Sequence, residues 1–190
     1  MKTKLVNWGY APITTRSDSG YTYGTPVYPA AATAGGREYK ADPAGDVKKV
    51  SANSQEVYVA SVNDGYEIEL TLIDLVDTIG VAWLGYEQRS NGLLETAKDT
   101  ENPRFALFLS DNDTSDVGKT EIFYDCVVTS RPSISGKTAE EGKWDDQFVT
   151  VKIKASGRLD NKNVRFCVSG TSELSSVTEP AAASSSSSTP

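Results

Sequence analysis

Carboxylates are the main chemistry-bearing side chains of this sequence. Several fall in pairs: Glu67/Glu69, Asp74/Asp77, Glu140/Glu141, Asp145/Asp146, and the group Asp111, Asp113 and Asp116. Two carboxylates can divide acid and base roles in glycoside cleavage, but such pairs converge from different elements across a cleft. Glu67 and Glu69 instead stand two apart on one strand, about 7 Å from each other at the usual strand rise. A solvated strand face explains them more simply. Asp74 and Asp77 read as helix-start signals. The run 111–116 alternates oxygen-bearing residues as a calcium loop does, yet it lacks the Gly at the sixth position and the Glu at the twelfth. It reads as a solvated hairpin loop.

The sequence contains no histidine, which removes the usual metal ligand and the usual general base for a serine or cysteine nucleophile. Gly35-Gly36 and the scattered glycines never match the phosphate-binding or dinucleotide spacings. Cys126 and Cys167 both sit in strand-like runs and read as two reduced, core-type thiols. The expectation is therefore a protein that is not an enzyme, with no catalytic residue, no metal and no cofactor. Trp8, Tyr10, Tyr21, Tyr23, Tyr28 and Tyr39 crowd the first part of the chain. Stacking platforms for sugars or bases use such rings, but no basic patch interleaves them, and interface packing is the simpler reading.

The 190 residues carry 19 Lys and Arg against 26 Asp and Glu, a net charge of −7. Clustered cations are what bind nucleic acid through counterion release, so an acidic chain is a poor candidate for gripping it. The opening MKTKLVNWGYAP lacks the apolar run of a signal peptide, and no stretch reaches the roughly 18 apolar residues of a membrane span. The expected place of synthesis is the cytoplasm, with no membrane contact.

The elements that must position these side chains are mostly strands. Residues 56–62 and 66–73 are rich in β-branched and aromatic residues. Asn63-Asp64-Gly65 separates them in the manner of a hairpin. In the second strand Ile68, Leu70 and Leu72 share one face, while Glu67, Glu69 and Thr71 share the other. Asp74 then opens a helix, DLVDTIGVAWLG, in which Leu75, Ile79, Ala82 and Trp83 form the buried stripe and Gly85 the stop. Further strands are expected at 104–110, 120–129, 148–155 and 163–169, with a long polar loop over 131–146. Residues 34–55 have only Val47 and Val50 as aliphatic anchors and read as a poorly packed segment. The end, 179–190, is a Ser-rich tail with nothing to bury. The sum is a mainly β fold: an antiparallel β-sandwich or open barrel over residues 1–178, with one flanking α-helix.

An ordered set of segments adds an identity to this frame. NWGYAPIT (7–14), YTYGTPVYPAAATAG (21–35) and REYKAD (37–42) come first. NDGYEIELTLIDLVDTIGVAWLG (63–85), NGLLETAKDTENPRFALFLSDND (91–113), EIFYDCVVTSRP (121–132) and QFVTVKIKASGRL (147–159) follow. Together they resemble the siphophage major tail protein family, over roughly residues 5–170 and in the right order. No single motif is specific; the order is. The resemblance implies a tail tube protein fold that assembles into rings, usually hexameric, which stack into a tube around a lumen.

It also implies partners: the chain itself, a tape-measure protein, and terminator or baseplate proteins. DNA would pass through the lumen without specific binding, and the location would be the virion tail. In that frame Glu56, Glu67 and Glu69 are candidates to face the lumen. Residues 34–55, with Asp42, Asp46, Lys48, Lys49 and Asn53, are the candidate inter-subunit arm. Leu75, Ile79 and Trp83 pack the helix. The alternatives are a carbohydrate-binding β-sandwich, suggested by the tyrosines, or another ring-forming tail component.

Overall fold

A computed structural model describes residues 4–52, 55–97, 101–112, 118–133 and 148–180, with side chains for all of these except 4 and 47–60. Among the described residues there are twelve strands: β1 (Lys4–Ser17), β2 (Gly20–Tyr23), β3 (Gly36–Ala44), β4 (Val47–Ala52), β5 (Gln55–Ser61), β6 (Gly65–Leu72), β7 (Glu87–Arg89), β8 (Gly92–Leu94), β9 (Arg104–Asn112), β10 (Gly118–Ser130), β11 (Val149–Ser156) and β12 (Arg165–Ser169). The helix α2 (Asp77–Leu84) follows β6, and a single turn, α1 (Ala31–Ala34), precedes β3.

The main sheet runs β2-β1-β9-β10-β11-β6-β3, with neighbouring strands antiparallel, and β12 joins it through β10. β10 is the strand on which the sheet divides. Its first half, residues 119–123, pairs with β12, and its second half, from Asp125 to Ser130, pairs with β11. The partner β9 shifts register between Phe123 and Cys126, and a bulge of this kind bends a strand. The result is two layers, β2-β1-β9-β10-β12 and β10-β11-β6-β3, that share one strand. The fold is thus the expected antiparallel sandwich or open barrel with a helix on its flank.

The core fills the space between the layers, and alternation selects its residues. Phe105, Leu107 and Leu109 of β9 face Ile68, Leu70 and Leu72 of β6 and Val151, Ile153 and Ala155 of β11, all buried. Burial of each such aliphatic or aromatic side chain stabilises by about 1.5–3 kcal/mol. The helix closes one end. Trp83 stacks on Phe105 with centroids 4.5 Å apart, and Trp8 and Tyr10 meet it edge-on at 5.4 and 5.5 Å. Ile79 is buried with Trp83, and Leu75 packs half-buried against the same cluster. The Trp8 indole N–H donates to the Ala34 carbonyl at 2.9 Å, which ties α1 to this end.

A second apolar cluster lies on the outer face of the first layer: Ala11, Ala106, Phe108, Ile122 and Tyr124. It is covered by Tyr23, Tyr28, Phe166, Val168, and by Leu174 and Val177 of the segment after β12. That segment is strapped down by polar bonds. Leu174 N–H donates to the Tyr28 hydroxyl at 2.7 Å, Tyr124 O–H donates to the Thr178 carbonyl at 2.8 Å, and Arg158 pairs with Glu179.

Several expectations need correcting. Residues 56–62 and 66–73 do not pair with each other. β5 pairs with β4, and β6 with β3 and β11. One long hairpin runs from Gly36 to Leu72, with Ala52↔Gln55 the last described pair toward its far end. Asn63-Asp64-Gly65 is one side of a joint within this hairpin. Across it Val62 N–H donates to the Asp46 carbonyl and Asp64 N–H to the Ala44 carbonyl, at 2.9 and 2.8 Å. The misreading came from an Asx turn that imitates a hairpin signal: the Asn63 side chain accepts the Gly65 N–H at 3.0 Å.

The stretch 34–55 is likewise not a loose segment. Its first part is β3, paired to β6 from Gly36 to Ala44. The helix begins at Asp77, after an extended Val76, not at Asp74, whose carboxylate accepts the neighbouring Leu75 N–H instead. Gly85, left-handed at φ 68°, ends it as expected. Cys126 is buried, but Cys167 is exposed on β12 and is no core thiol. Glu179, the first residue of the expected tail, is paired with Arg158, and 181–190 lie outside the described residues. The hairpin β7–β8 was not expected. Most of 131–146, and residues 113–117 of the acidic loop, lie outside the described residues.

Candidate assembly surface

The two layers differ in what covers their outer faces. The first is covered by the strap; the second, β3-β6-β11, is bare among the described residues. Alternation puts Glu38, Lys40 and Asp42 of β3 and Glu67 and Glu69 of β6 outward and exposed, with Thr71 beside them, and Lys152 and Lys154 of β11 complete the face. The register sets these groups in rows. Lys40, Glu69 and Lys152 align, as do Asp42, Glu67 and Lys154.

Lys152 pairs with Glu69 at 3.1 Å, Lys40 with Asp42 at 2.5 Å, and Thr71 with Thr150 at 3.1 Å. The Asp42 carboxylate holds the Lys40 ammonium above its usual pKa. Exposed pairs of this kind are screened by solvent and contribute little to stability. Four carboxylates against three ammonium groups leave the face at −1, close to neutral. β6 taken alone looks acidic; its neighbours in the sheet neutralise it.

The sequence-derived residues are thus dispersed. Glu67 and Glu69 share the bare face, and Asp42 joins them there instead of lying in the arm. Asp46 stands at the joint, and Lys48 and Lys49 follow on β4. The side chain of Glu56 and the whole of Asn53 lie outside what is described. Of the candidate arm, β4–β5 forms a two-stranded ribbon separate from the main sheet. It leaves the second layer at the end marked by Ala44 and Gly65. β3 is hydrogen-bonded on one side, to β6, and its other edge carries no strand among the described residues.

Two buried polar groups were not expected from the sequence, and a third includes Asp111, which is buried on β9 and not part of a solvated loop. Asp125 is fully buried where β10 divides, and it accepts from Arg16 at 2.9 Å, Arg104 at 2.7 Å and the Tyr21 hydroxyl at 2.7 Å. Arg158, also buried, pairs with Asp160 at 2.5 Å and lies over the Tyr21 ring at 4.8 Å. At the end of the sandwich away from the helix, Asp111 accepts from Tyr39 O–H at 3.0 Å, while Glu121 pairs with Lys119 at 3.1 Å and Arg165 at 3.4 Å. Lone charges inside apolar runs, such as Asp125 within FYDCVV, were the available signal. All three groups bind strands to one another.

The aromatic residues of the first segment are likewise spent internally. Trp8 and Tyr10 are buried in the core, and the hydroxyls of Tyr21, Tyr23, Tyr28 and Tyr39 are bonded within the chain. Burial raises the phenols: Tyr124 is pushed up to about 12, and Tyr23 and Tyr39 are raised further. Among the described residues no three or more His, Cys, Asp or Glu side chains come together as metal ligands. No helix among them is long and apolar enough to cross a membrane. Neither a protein-family model nor a curated protein matches this sequence.

Proposed function

We propose that this chain is a structural subunit of a tail tube, polymerising into rings that stack around a DNA-conducting lumen in a long-tailed bacteriophage. The observation that carries the reading is the inequality of the two layers. One outer face is strapped and apolar beneath, while the other is a bare, nearly neutral sheet with an open edge at β3. A sheet with an unpaired edge is exposed to uncontrolled pairing, and closing it on copies of itself into a ring removes the edge. Within such a ring the bare face lines the lumen, carrying Glu67 and Glu69. A near-neutral lining without clustered cations lets a polyanion slide, because there is little counterion release to hold it.

In this reading the role is architectural and not catalytic. The partners are other copies of the chain, a tape-measure protein, and the terminator and baseplate proteins at the tube's ends. The tyrosines that suggested a sugar platform have their hydroxyls bonded inside the fold, so the carbohydrate-binding reading loses its main support. Negative-stain electron microscopy of the purified chain is the test. Rings or tubes with a continuous central channel are expected. A protein that stays monomeric at every concentration and binds a sugar saturably would overturn the proposal.

A further inference from the structure

Eight asparagines occur in the sequence, and only one, Asn91, is followed by glycine. An asparagine loses its side-chain amide when the next residue's backbone nitrogen attacks its Cγ, and a following Gly, with no Cβ, leaves that approach open. At other positions the side chain is engaged or the attack is blocked. The Asn63 and Asn161 side chains accept the N–H two residues on, from Gly65 and Asn163, at 3.0 Å each, and Asn7 accepts the Trp8 N–H at 2.9 Å. Asn102 donates to the Val128 carbonyl at 2.9 Å and precedes Pro103, which has no N–H to supply.

Asn91 is exposed at the tip of the β7–β8 hairpin, where Ser90 and Asn91 join the paired residues Arg89 and Gly92. A Cβ built on Gly92 would meet nothing within 4 Å, so its nitrogen is open to approach. The ladder has three pairs and belongs to no larger sheet, and isolated two-stranded hairpins are marginal. Its turn is also of the unfavourable hand. Among the described residues Lys162 is the one non-glycine at positive φ, so Ser90 and Asn91 do not make the primed turn that matches strand twist. Local opening of such a ladder frees the Gly92 nitrogen to react. Beneath the hairpin lies α2: a Cβ added at Gly80 would come 3.0 Å from Leu93 and 3.1 Å from Tyr86. The Gln88 amide braces the turn, donating to the Arg89 carbonyl at 3.3 Å and the Gly92 carbonyl at 3.5 Å.

We propose that Asn91-Gly92 is a site of spontaneous deamidation, and that its isoaspartate product loosens the β7–β8 hairpin from α2. The Gly92 amide nitrogen gives its proton to base and bonds to Asn91 Cγ. The Cγ–Nδ2 bond breaks, and the nitrogen leaves as ammonia with a proton from water. A second water opens the cyclic imide at one carbonyl to give aspartate or at the other to give isoaspartate. The net change is amide plus water to acid plus ammonia. Both products carry a new negative charge. Isoaspartate also routes the main chain through the side-chain methylene, and this lengthening of a two-residue turn works against the Arg89↔Gly92 register. The site stands independently of the tube reading.

Ageing the full chain in mildly alkaline buffer, followed by digestion and mass spectrometry, tests it. Residue 91 should convert ahead of the other asparagines, take up heavy oxygen from labelled water, and yield both aspartate and isoaspartate. Asn91→Gln, whose longer side chain disfavours ring closure, should keep its amide. Hydrogen exchange across Gly80 and 86–94 should quicken in the aged protein, but not in freshly purified Asn91→Asp, which supplies the charge without the added backbone atom. Conversion of Asn91 no faster than that of Asn63 or Asn161, or a product that is aspartate alone, would overturn the site. Isoaspartate at 91 with exchange unchanged from fresh protein would overturn the loosening.

Discussion

Asp125 illustrates how a single charged residue organises its surroundings. It sits where β10 leaves β12 for β11, and its two oxygens gather Arg16, Arg104 and Tyr21 from three other strands. The tyrosines around the strap have a consequence that titration can reveal. An unperturbed phenol ionises near pH 10, whereas burial holds Tyr124 up to about 12 and raises Tyr23 and Tyr39 as well. Above pH 10 the unfolded chain therefore releases protons that the folded chain retains. The stability from these groups is complete below about pH 10 and is lost as pH climbs toward 12. Tyr124→Phe removes one such group and its bond to Thr178. It should cost about 1 kcal/mol at neutral pH and make the alkaline loss shallower, as read from urea midpoints at neutral pH and near pH 11. An equally steep loss in the variant would show that Tyr124 is not among the groups responsible.

At the scale of elements, the strands with clean alternation were legible. Ile68, Leu70 and Leu72, then Val151 and Ile153, face inward as their spacing requires, because a period of two leaves little choice once one face must be buried. The pairing of the strands was not legible. A turn motif is a local signal, and Asn63-Asp64-Gly65 satisfies it while serving as a joint, where Gly65 at φ 100° comes against the Ala155 carbonyl. An added Cβ would lie 1.9 Å from that oxygen. Gly65→Ala should therefore destabilise the fold by about 2 kcal/mol or more, combining a strained φ with a clash against backbone. Denaturant unfolding checks this, and a wild-type midpoint would refute the account of the joint. The helix start was misplaced for a similar reason: Asp74 has the right side chain for a cap, but it spends it on Leu75 one residue away.

At the scale of the whole molecule, the charge of the bare face could not be read from one strand. Glu67 and Glu69 look acidic in sequence, and only the register with β3 on one side and with Lys152 and Lys154 on the other reveals a face at −1. In the proposed tube this near-neutrality is what keeps DNA moving. Glu67→Lys with Glu69→Lys would turn the face from −1 to +3. Tubes should still form, because both residues lie in the exposed middle of β6, but DNA ejection through them should slow, and more so at low salt. Unchanged ejection through intact variant tubes would place these residues away from the lumen.

The strap over the first layer also decides where foreign sequence can be attached. From Gly170 to Pro180 the chain travels across the face opposite the bare one, and Arg158 fastens it at Glu179. Pro180, just past that clasp, lies on the far side of the sandwich from Glu67 and Glu69. A label joined directly after Pro180 would therefore start clear of the sheet it must not obstruct, whereas one joined at Lys4 would start on β1, a strand of the layer the strap covers.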